Sequence, residues 1–195
     1  MPLRTITYPE ASISKSTRGA TGISDGQLLI NAEKARQAAL VERAGYTDEF
    51  ASMLVRAADH FIVRRQSTGA KTILAGYPWF ADWGRDAMIS LCGLTLSTGR
   101  YDDAKQILCT FAEHIQYGLV PNMFPDEGGA PGYNSVDAAL WYFEAVGRYV
   151  EYTGDTGLVR EKLKDSMLRI FEGYTKGTLH HIHMDEDGLI TAGDE

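Results

Sequence analysis

The chain is poor in cysteine and has no excess of positive charge. Only two cysteines, Cys92 and Cys109, occur among 195 residues. Both stand at apolar positions of predicted helices, so we expect buried, reduced thiols rather than a disulfide or a reactive site. The 19 basic side chains are outnumbered by 26 acidic ones and form no cluster. We therefore expect neither a nucleic acid nor an anionic membrane as a partner.

Long apolar runs are also absent. The opening residues, MPLRTITYPEASISKS, lack the apolar core of a signal peptide. No stretch of the chain approaches the roughly 18 consecutive apolar residues of a membrane span. With 44% hydrophobic and 23% charged residues, the composition is that of a folded globular chain. The sequence predicts a cytoplasmic protein.

The chain divides into two parts by composition. Residues 1–45 contain the Ser-, Thr- and Gly-rich stretch SKSTRGATGISDG, followed by AEKARQAALVERAG, which can form a short helix. We interpret this part as a leader or linker segment. Residues 46–195 follow a different pattern and are predicted to form the folded domain.

From Thr47 onward, apolar residues recur at three- and four-residue spacing and predict five amphipathic helices. The first, capped by Thr47 or Asp48, carries the apolar residues Phe50, Met53, Leu54, Ala57, Ala58, Phe61 and Ile62. The other four run from near Asp86 to Gly99, on to Gly118, from Asn134 or Ser135 to the TGD at 153–155, and from there through Tyr174. Since no strand pattern is comparably strong, we expect an all-α fold.

Two long loops concentrate aromatic and polar side chains. The first, AGYPWFADWGRD at 75–86, holds four aromatic rings, two carboxylates and one guanidinium. This density is compatible with a satellite core and an ordinary helix start. It is also suited to a sugar, because rings pack against C–H faces while a carboxylate and a guanidinium together bind adjacent hydroxyls. A phosphate ligand would call for more basic residues.

The second loop, at about 118–134, repeats this composition. It is rich in Gly and Pro and leads into a predicted helix on which Asp137 and Trp141 share a face. Asp126 and Glu127 are most simply read as solvated loop charges. Asp137 is either a carboxylate favoured by the helix dipole or a ligand-binding residue.

Histidines near the C-terminus form an H-x-H pair, His181 and His183. Such a pair can ligate a metal. However, the following MDEDG is typical of a tight turn between two short strands, and no third ligand is evident. We therefore predict a hairpin without a metal.

Four motifs carry a resemblance to a known family. They are W-F-x-D-W-G-R-D, P-N-x-F-P-D, Y-N-S-V-D-A-x-L-W and G-L-I-x-A-G-D-E, in this order. Together they resemble the amylo-α-1,6-glucosidase domain of bacterial and archaeal glycogen debranching enzymes. The likeness runs from about residue 40 to the end of the chain.

The resemblance implies an (α/α)6 toroid whose long loops gather at one end around the site. It implies inverting hydrolysis of the α-1,6-linked glucose stub at a branch of glycogen or a similar α-glucan, without a metal or organic cofactor. Arg85 and Asp86 would bind hydroxyls of the terminal glucose, and Tyr77, Trp79 and Trp83 would wall the subsite. The residues that match the next motif are Asn134 and Asp137, for which direct sugar contact and loop support both stay open.

The chain is short for such a toroid, because it supplies about five of twelve helices. We expect it to be the N-terminal part of the glucosidase domain, with the general acid and base beyond Glu195. Asp194 and Glu195 are weaker candidates for the acid. Two alternatives stay open: another toroidal glycosidase of the glucoamylase or trehalase kind, and a non-catalytic α-glucan-binding protein.

Overall fold

The structure, a computed structural model, describes residues 23–77, 80–124 and 129–193. Helices dominate these ranges, which confirms the all-α expectation at the level of class. The helices are α1 (Ile23–Ala44), α2 (Glu49–Asp59), α3 (Gly84–Leu91), α4 (Tyr101–Glu113), α5 (Asp137–Thr153), α6 (Thr156–Leu158) and α7 (Lys164–Lys176). A π-helical segment, Cys92–Leu96, continues α3, and another, Val159–Leu163, joins α6 to α7. The closed toroid stays a prediction.

Glycine turns end the helices where the sequence predicts it. Gly99 and Gly154 have φ angles of 71° and 69°, a left-handed conformation that glycine adopts without steric cost. The Gly154 N–H donates to the carbonyl of Val150 at 2.7 Å. Asp155 then caps the next helix, because its Oδ1 accepts from the Leu158 N–H at 3.0 Å. The TG turns are confirmed as helix boundaries.

The expected short helix in residues 1–45 is in fact long. α1 spans 22 residues, and its second half is rich in Ala, Glu, Lys and Arg, which are strong helix formers. Leu40 is buried, and Arg36 Nη2 lies 2.5 Å from Asp59 Oδ2 at the end of α2. Residues 23–44, about half of the segment predicted as a linker, therefore form a helix that contacts α2. The leader interpretation of residues 1–22 lies outside the described residues, and the domain boundary stays a prediction.

The prediction for the first amphipathic helix was wrong in its end and in its buried face. α2 ends at Asp59, so Phe61 and Ile62 lie beyond it. Phe50, Met53 and Leu54 are each more than half exposed, whereas the buried residues of α2 are Ser52, Val55, Ala58 and Asp59.

An ion cluster at Asp59 explains this rotation of α2. The Asp59 carboxylate accepts from Arg36 and, at 2.6 Å, from Arg100 Nη1. Burial raises the pKa of Asp59, but hydrogen bonds from the two arginines outweigh burial and lower it. Because a buried carboxylate must face its cations, the side of α2 that carries Ser52, Val55, Ala58 and Asp59 faces inward, and Phe50, Met53 and Leu54 stay exposed.

Within the described ranges, two small antiparallel hairpins accompany the helices. β1 (Ile62–Arg64) pairs with β2 (Lys71–Ile73), with Ile62 opposite Ile73. β3 (His183–Met184) pairs with β4 (Ile190–Thr191), which confirms the predicted hairpin around MDEDG. The first hairpin was not predicted, because three residues are too few to show an alternating pattern.

The core lies between α3, α4 and α5. Leu91, Phe111 and Tyr142 are fully buried representatives of the three helices. The Tyr142 hydroxyl donates to the carbonyl of Leu108 at 3.1 Å, which satisfies its polar atom inside the core. α3 packs along α5, and the first turns of these two helices meet at one end of the core.

A close backbone contact fixes the start of α3. A Cβ added to the buried Gly84 would lie 2.0 Å from the carbonyl oxygen of Pro121. The Gly84 N–H also donates to the carbonyl of Asn122 at 3.0 Å. Only glycine lets the two backbones approach so closely, so residue 84 holds the 121–124 segment against α3.

Gly84→Ala is expected to lower the free energy of unfolding by about 3 kcal/mol, because the methyl group forces these backbones apart. Urea unfolding followed by circular dichroism measures the change. Gly147→Ala is the matched control, because Gly147 lies within α5 with open space around a new Cβ. In this variant the free energy of unfolding should rise by about 0.5–1 kcal/mol. Equal stabilities of the two variants would contradict the account.

Candidate functional site

Three chain segments run side by side at the start of α3. The Gly84 N–H bonds to Asn122, as described above. In addition, the Asn122 N–H donates to the carbonyl of Gly132 at 2.7 Å, and the Gly132 N–H donates to the carbonyl of Met123 at 2.8 Å. Trp83 pairs with Met123 as an isolated bridge. Because both long loops contribute to this pairing, the first turn of α3 and the chain entering α5 are brought together.

The Asn122 side chain joins the two loops. Its Nδ2 donates to Asn134 Oδ1 at 3.1 Å, and its Oδ1 accepts from the backbone N–H of Arg85 at 3.3 Å. Asn122 is buried, while Asn134 is exposed. The buried Asn122 amide therefore orients both the exposed Asn134 amide and the backbone of Arg85.

Arg85 and Asp137 form an ion pair across the two helix starts. Arg85 Nε lies 2.8 Å from Asp137 Oδ1, with the side chains 51% and 35% exposed. Ser135 Oγ donates to the same carboxylate oxygen at 2.7 Å. Burial opposes ionisation of Asp137, but the hydrogen bonds from Ser135 and Arg85 outweigh burial and lower its pKa. The pair thus presents a fixed cation and a fixed anion to the surface.

Asp86 and Trp83 lie on either side of Arg85 in the sequence. The exposed Asp86 is in the first turn of α3, and the part of the chain that the structure describes offers its carboxylate no side-chain partner. The Trp83 ring is half-buried and stands edge-on to Phe80, with centroids 6.1 Å apart. The loop therefore supplies a carboxylate acceptor and an aromatic ring within two residues of Arg85 in the sequence, and the role of Trp83 as a subsite wall stays a prediction.

The remaining predicted residues lie elsewhere or outside the described ranges. Tyr77 is at the far end of the first loop, where its hydroxyl donates to the carbonyl of His60 at 2.6 Å and its ring lies 6.0 Å from Phe61. Trp79, Asp194 and Glu195 fall outside the described residues. The roles assigned to all these residues stay predictions.

A buried ion pair anchors the first loop from behind. Arg65 follows β1, and its Nε donates to Asp82 Oδ2 at 2.5 Å, while its Nη2 contacts the same oxygen. Thr72 Oγ1 on β2 also donates to this oxygen, at 3.0 Å. The Arg65 guanidinium lies over the Phe124 ring, 3.7 Å from its centroid. Arg65 therefore holds the loop before α3 and the 121–124 segment at once.

Arg65 is the supporting residue that sequence reasoning missed, whereas Asn122 stands in the P-N-x-F-P-D motif but was given no role. No local pattern identifies Arg65 or predicts the contacts of Asn122, since their partners Asp82 and Asn134 lie 17 and 12 residues away. One signal was available: a carboxylate inside a strongly aromatic loop, such as Asp82, needs a cation once it is buried.

Other chemical candidates show no comparable arrangement. His183 Nε2 lies 2.9 Å from Asp185 Oδ1 within the C-terminal hairpin. Within residues 23–77, 80–124 and 129–193, no three His, Cys, Asp or Glu side chains are grouped to hold a metal ion. Cys92 and Cys109 are free and only half-buried. Among the described helices, none is long and apolar enough to cross a membrane.

Comparison with known proteins assigns the chain to a class. A family model described as amylo-alpha-1,6-glucosidase matches residues 56–195. The match covers more than half of the chain, including both loops, and the chain belongs to this family of glycoside hydrolases. The glycogen debranching enzyme of Saccharomyces cerevisiae is 43% identical over 89 residues, which cover 43% of this chain and 6% of the yeast protein. The match thus spans a small part of that curated relative.

Arg65→Met is expected to lower the free energy of unfolding by about 3–5 kcal/mol, because it leaves the Asp82 carboxylate buried without its cation. Replacing both partners, in Arg65→Met/Asp82→Leu, should recover much of that loss, since no buried charge then stays unpaired. Urea unfolding of the two variants measures the difference. A double variant as unstable as the single one would contradict this account of the loop.

Arg85→Gln should raise the pKa of Asp137 towards its ordinary value, because the variant removes the cation that favours the carboxylate. Since the folded-state pKa lies below the unfolded one, the pair stabilises the fold above the unfolded pKa. This contribution is lost as pH falls through the folded-state pKa. A carboxyl-carbon NMR titration measures the shift. Arg148→Gln is the control, because Arg148 pairs with Glu144 and Glu151 and not with Asp137. This variant should leave the pKa of Asp137 unchanged.

Proposed function

We propose that the chain supplies the glucose-binding part of an α-1,6-glucosidase site that acts on glycogen or a related branched α-glucan. The observation that carries this proposal is the Arg85–Asp137 pair, 2.8 Å apart and partly exposed where α3 and α5 begin. Membership of the amylo-α-1,6-glucosidase family supports the reaction class. In the same proposal, the protein acts in the cytoplasm.

The chemistry of the pair matches adjacent sugar hydroxyls. A hydroxyl both donates and accepts, so one hydroxyl can donate to the Asp137 carboxylate while its neighbour accepts from the Arg85 guanidinium. Asp86 and Asn134 are exposed beside the pair and offer a further acceptor and an amide. Trp83 adds apolar area for the C–H face of the ring.

The pair also constrains the roles in hydrolysis. Inversion requires a carboxylic acid that protonates the leaving oxygen and a carboxylate that activates water, about 6.5–9.5 Å apart. Asp137 is unsuited to the acid role, because hydrogen bonds from Ser135 and Arg85 lower its pKa and keep it ionised. We therefore assign Asp137 to hydroxyl binding, and the acid to another carboxyl group.

In the complete protein, Arg85→Ala should lower kcat/KM for a dextrin with a single α-1,6-linked glucose by about 10- to 100-fold, because a charged hydrogen bond to the sugar is lost. Coupled glucose assays measure the rate, and NMR should show β-glucose as the first product. Arg148→Ala is the matched control, since it removes a guanidinium from the exposed side of α5.

Two outcomes would contradict the proposal. An unchanged kcat/KM in Arg85→Ala would show that this pair does not bind the substrate. Glucose release from the dextrin by the 195-residue chain alone would show that this chain supplies more than a binding part.

A further inference from the structure

A two-residue turn places a tyrosine in a conformation that tyrosine disfavours. Gln116 and Leu119 exchange backbone hydrogen bonds at 3.2 and 2.8 Å, and between them Tyr117 and Gly118 have φ angles of 56° and 74°. Two positive φ angles define a type I′ turn, in which Asn, Asp or Gly is the usual first residue. The Tyr117 side chain is 62% exposed. Packing therefore does not account for tyrosine at this position.

A second turn of the same kind carries two histidines. His180 and His181 have φ angles of 58° and 54°, and the Ile182 N–H donates to the Leu179 carbonyl at 3.3 Å. Both histidines are exposed. Across the described ranges, Tyr117, His180 and His181 are the non-glycine residues with positive φ. The strained positions thus fall on these two turns.

The two turns contact each other and the chain that leads to Asp137. Thr178 Oγ1 donates to the carbonyl of Tyr117, and His180 Nε2 lies 2.9 Å from the carbonyl oxygen of Tyr133. The Tyr117 and Tyr133 rings stand edge to face, with centroids 6.2 Å apart. These contacts join Tyr117, Tyr133 and His180 into one surface, which we call the tyrosine–histidine patch.

A close backbone contact supports the patch from below. A Cβ added to Gly118 would lie 2.9 Å from the Gly173 Cα, so two glycines allow the first turn to sit directly on α7. The scaffold therefore holds the Tyr117 backbone in place and leaves its ring at the surface. Backbone strain that is fixed by its surroundings is a feature of functional positions.

We propose that the tyrosine–histidine patch is a second contact for the α-glucan chain, beyond the glucose held by Arg85 and Asp137. The inference rests on the proposed function. The patch combines aromatic faces, which pack against the C–H faces of a sugar, with phenol and imidazole groups, which exchange hydrogen bonds with hydroxyls, and this mixture suits a neutral polysaccharide. Tyr133 is four residues from Asp137, so at most about 14 Å of chain separates the two Cα atoms. One glucan chain can contact both.

Tyr117→Asn tests the patch without disrupting its turn, because asparagine is favoured in the left-handed conformation. The variant should bind maltoheptaose about five- to tenfold more weakly by calorimetry and should be less retarded by glycogen in native gels. Its thermal midpoint should be unchanged or higher, since relief of strain offsets the lost ring contact. A purely structural tyrosine would lower stability and affinity together. His180→Asn should behave in the same way.

Tyr46→Asn is the control, because Tyr46 is a 45%-exposed tyrosine outside these turns. It should leave maltoheptaose affinity unchanged. Isomaltose, which is too short to span both sites, should bind Tyr117→Asn as it binds the unsubstituted chain.

The possible failures are distinguishable. If Tyr117→Asn and His180→Asn bind maltoheptaose normally while Arg85→Ala binds it more weakly, the patch inference is overturned and the proposed function stands. If the unsubstituted chain binds neither maltoheptaose nor isomaltose, both the patch inference and the proposed function are overturned.

Discussion

The candidate site depends on one buried cation. Arg65 donates to Asp82 in the first loop and lies 3.7 Å above the Phe124 ring of the second. Asp82 also accepts from Thr72, so the first hairpin is part of the same network. A buried carboxylate without a cation is costly, and this cost ties the positions of the hairpin and both loops to one another. The positions of the exposed site residues depend on that buried network.

The polar surface of the site follows from how the backbones are held. With both loops anchored, Gly84 and Asn122 can pair, and the buried Asn122 amide reaches Arg85 on one side and Asn134 on the other. The Arg85–Asp137 pair then forms between helix starts that are already fixed. A partly exposed ion pair contributes little to stability. In the proposed function, the pair presents a donor and an acceptor at a fixed separation to two hydroxyls of one sugar.

The parts of this arrangement that sequence reasoning predicted were local in the chain. The presence of the helices, a cap at Thr47 or Asp48, the TG turns and the C-terminal hairpin were predicted, because each depends on residues within a few positions of one another. The buried face of α2 was not predicted, since it is set by Arg36 on α1 and by Arg100, the residue that precedes α4. The same limit hid Arg65: its partners are long-range, and the hairpin that positions it is too short to have a pattern. The composition of the two loops predicted candidate residues but not the pairing of Arg85 with Asp137.

The central claim is that these two helix starts hold a glucose residue between a fixed cation and a fixed anion. The most direct measurement is a crystal structure of the chain bound to isomaltose. The account predicts adjacent hydroxyls of one glucose at hydrogen-bond distance, about 3 Å, from the Arg85 guanidinium and the Asp137 carboxylate. An ordered sugar bound elsewhere, with the Arg85–Asp137 pair untouched, would contradict it.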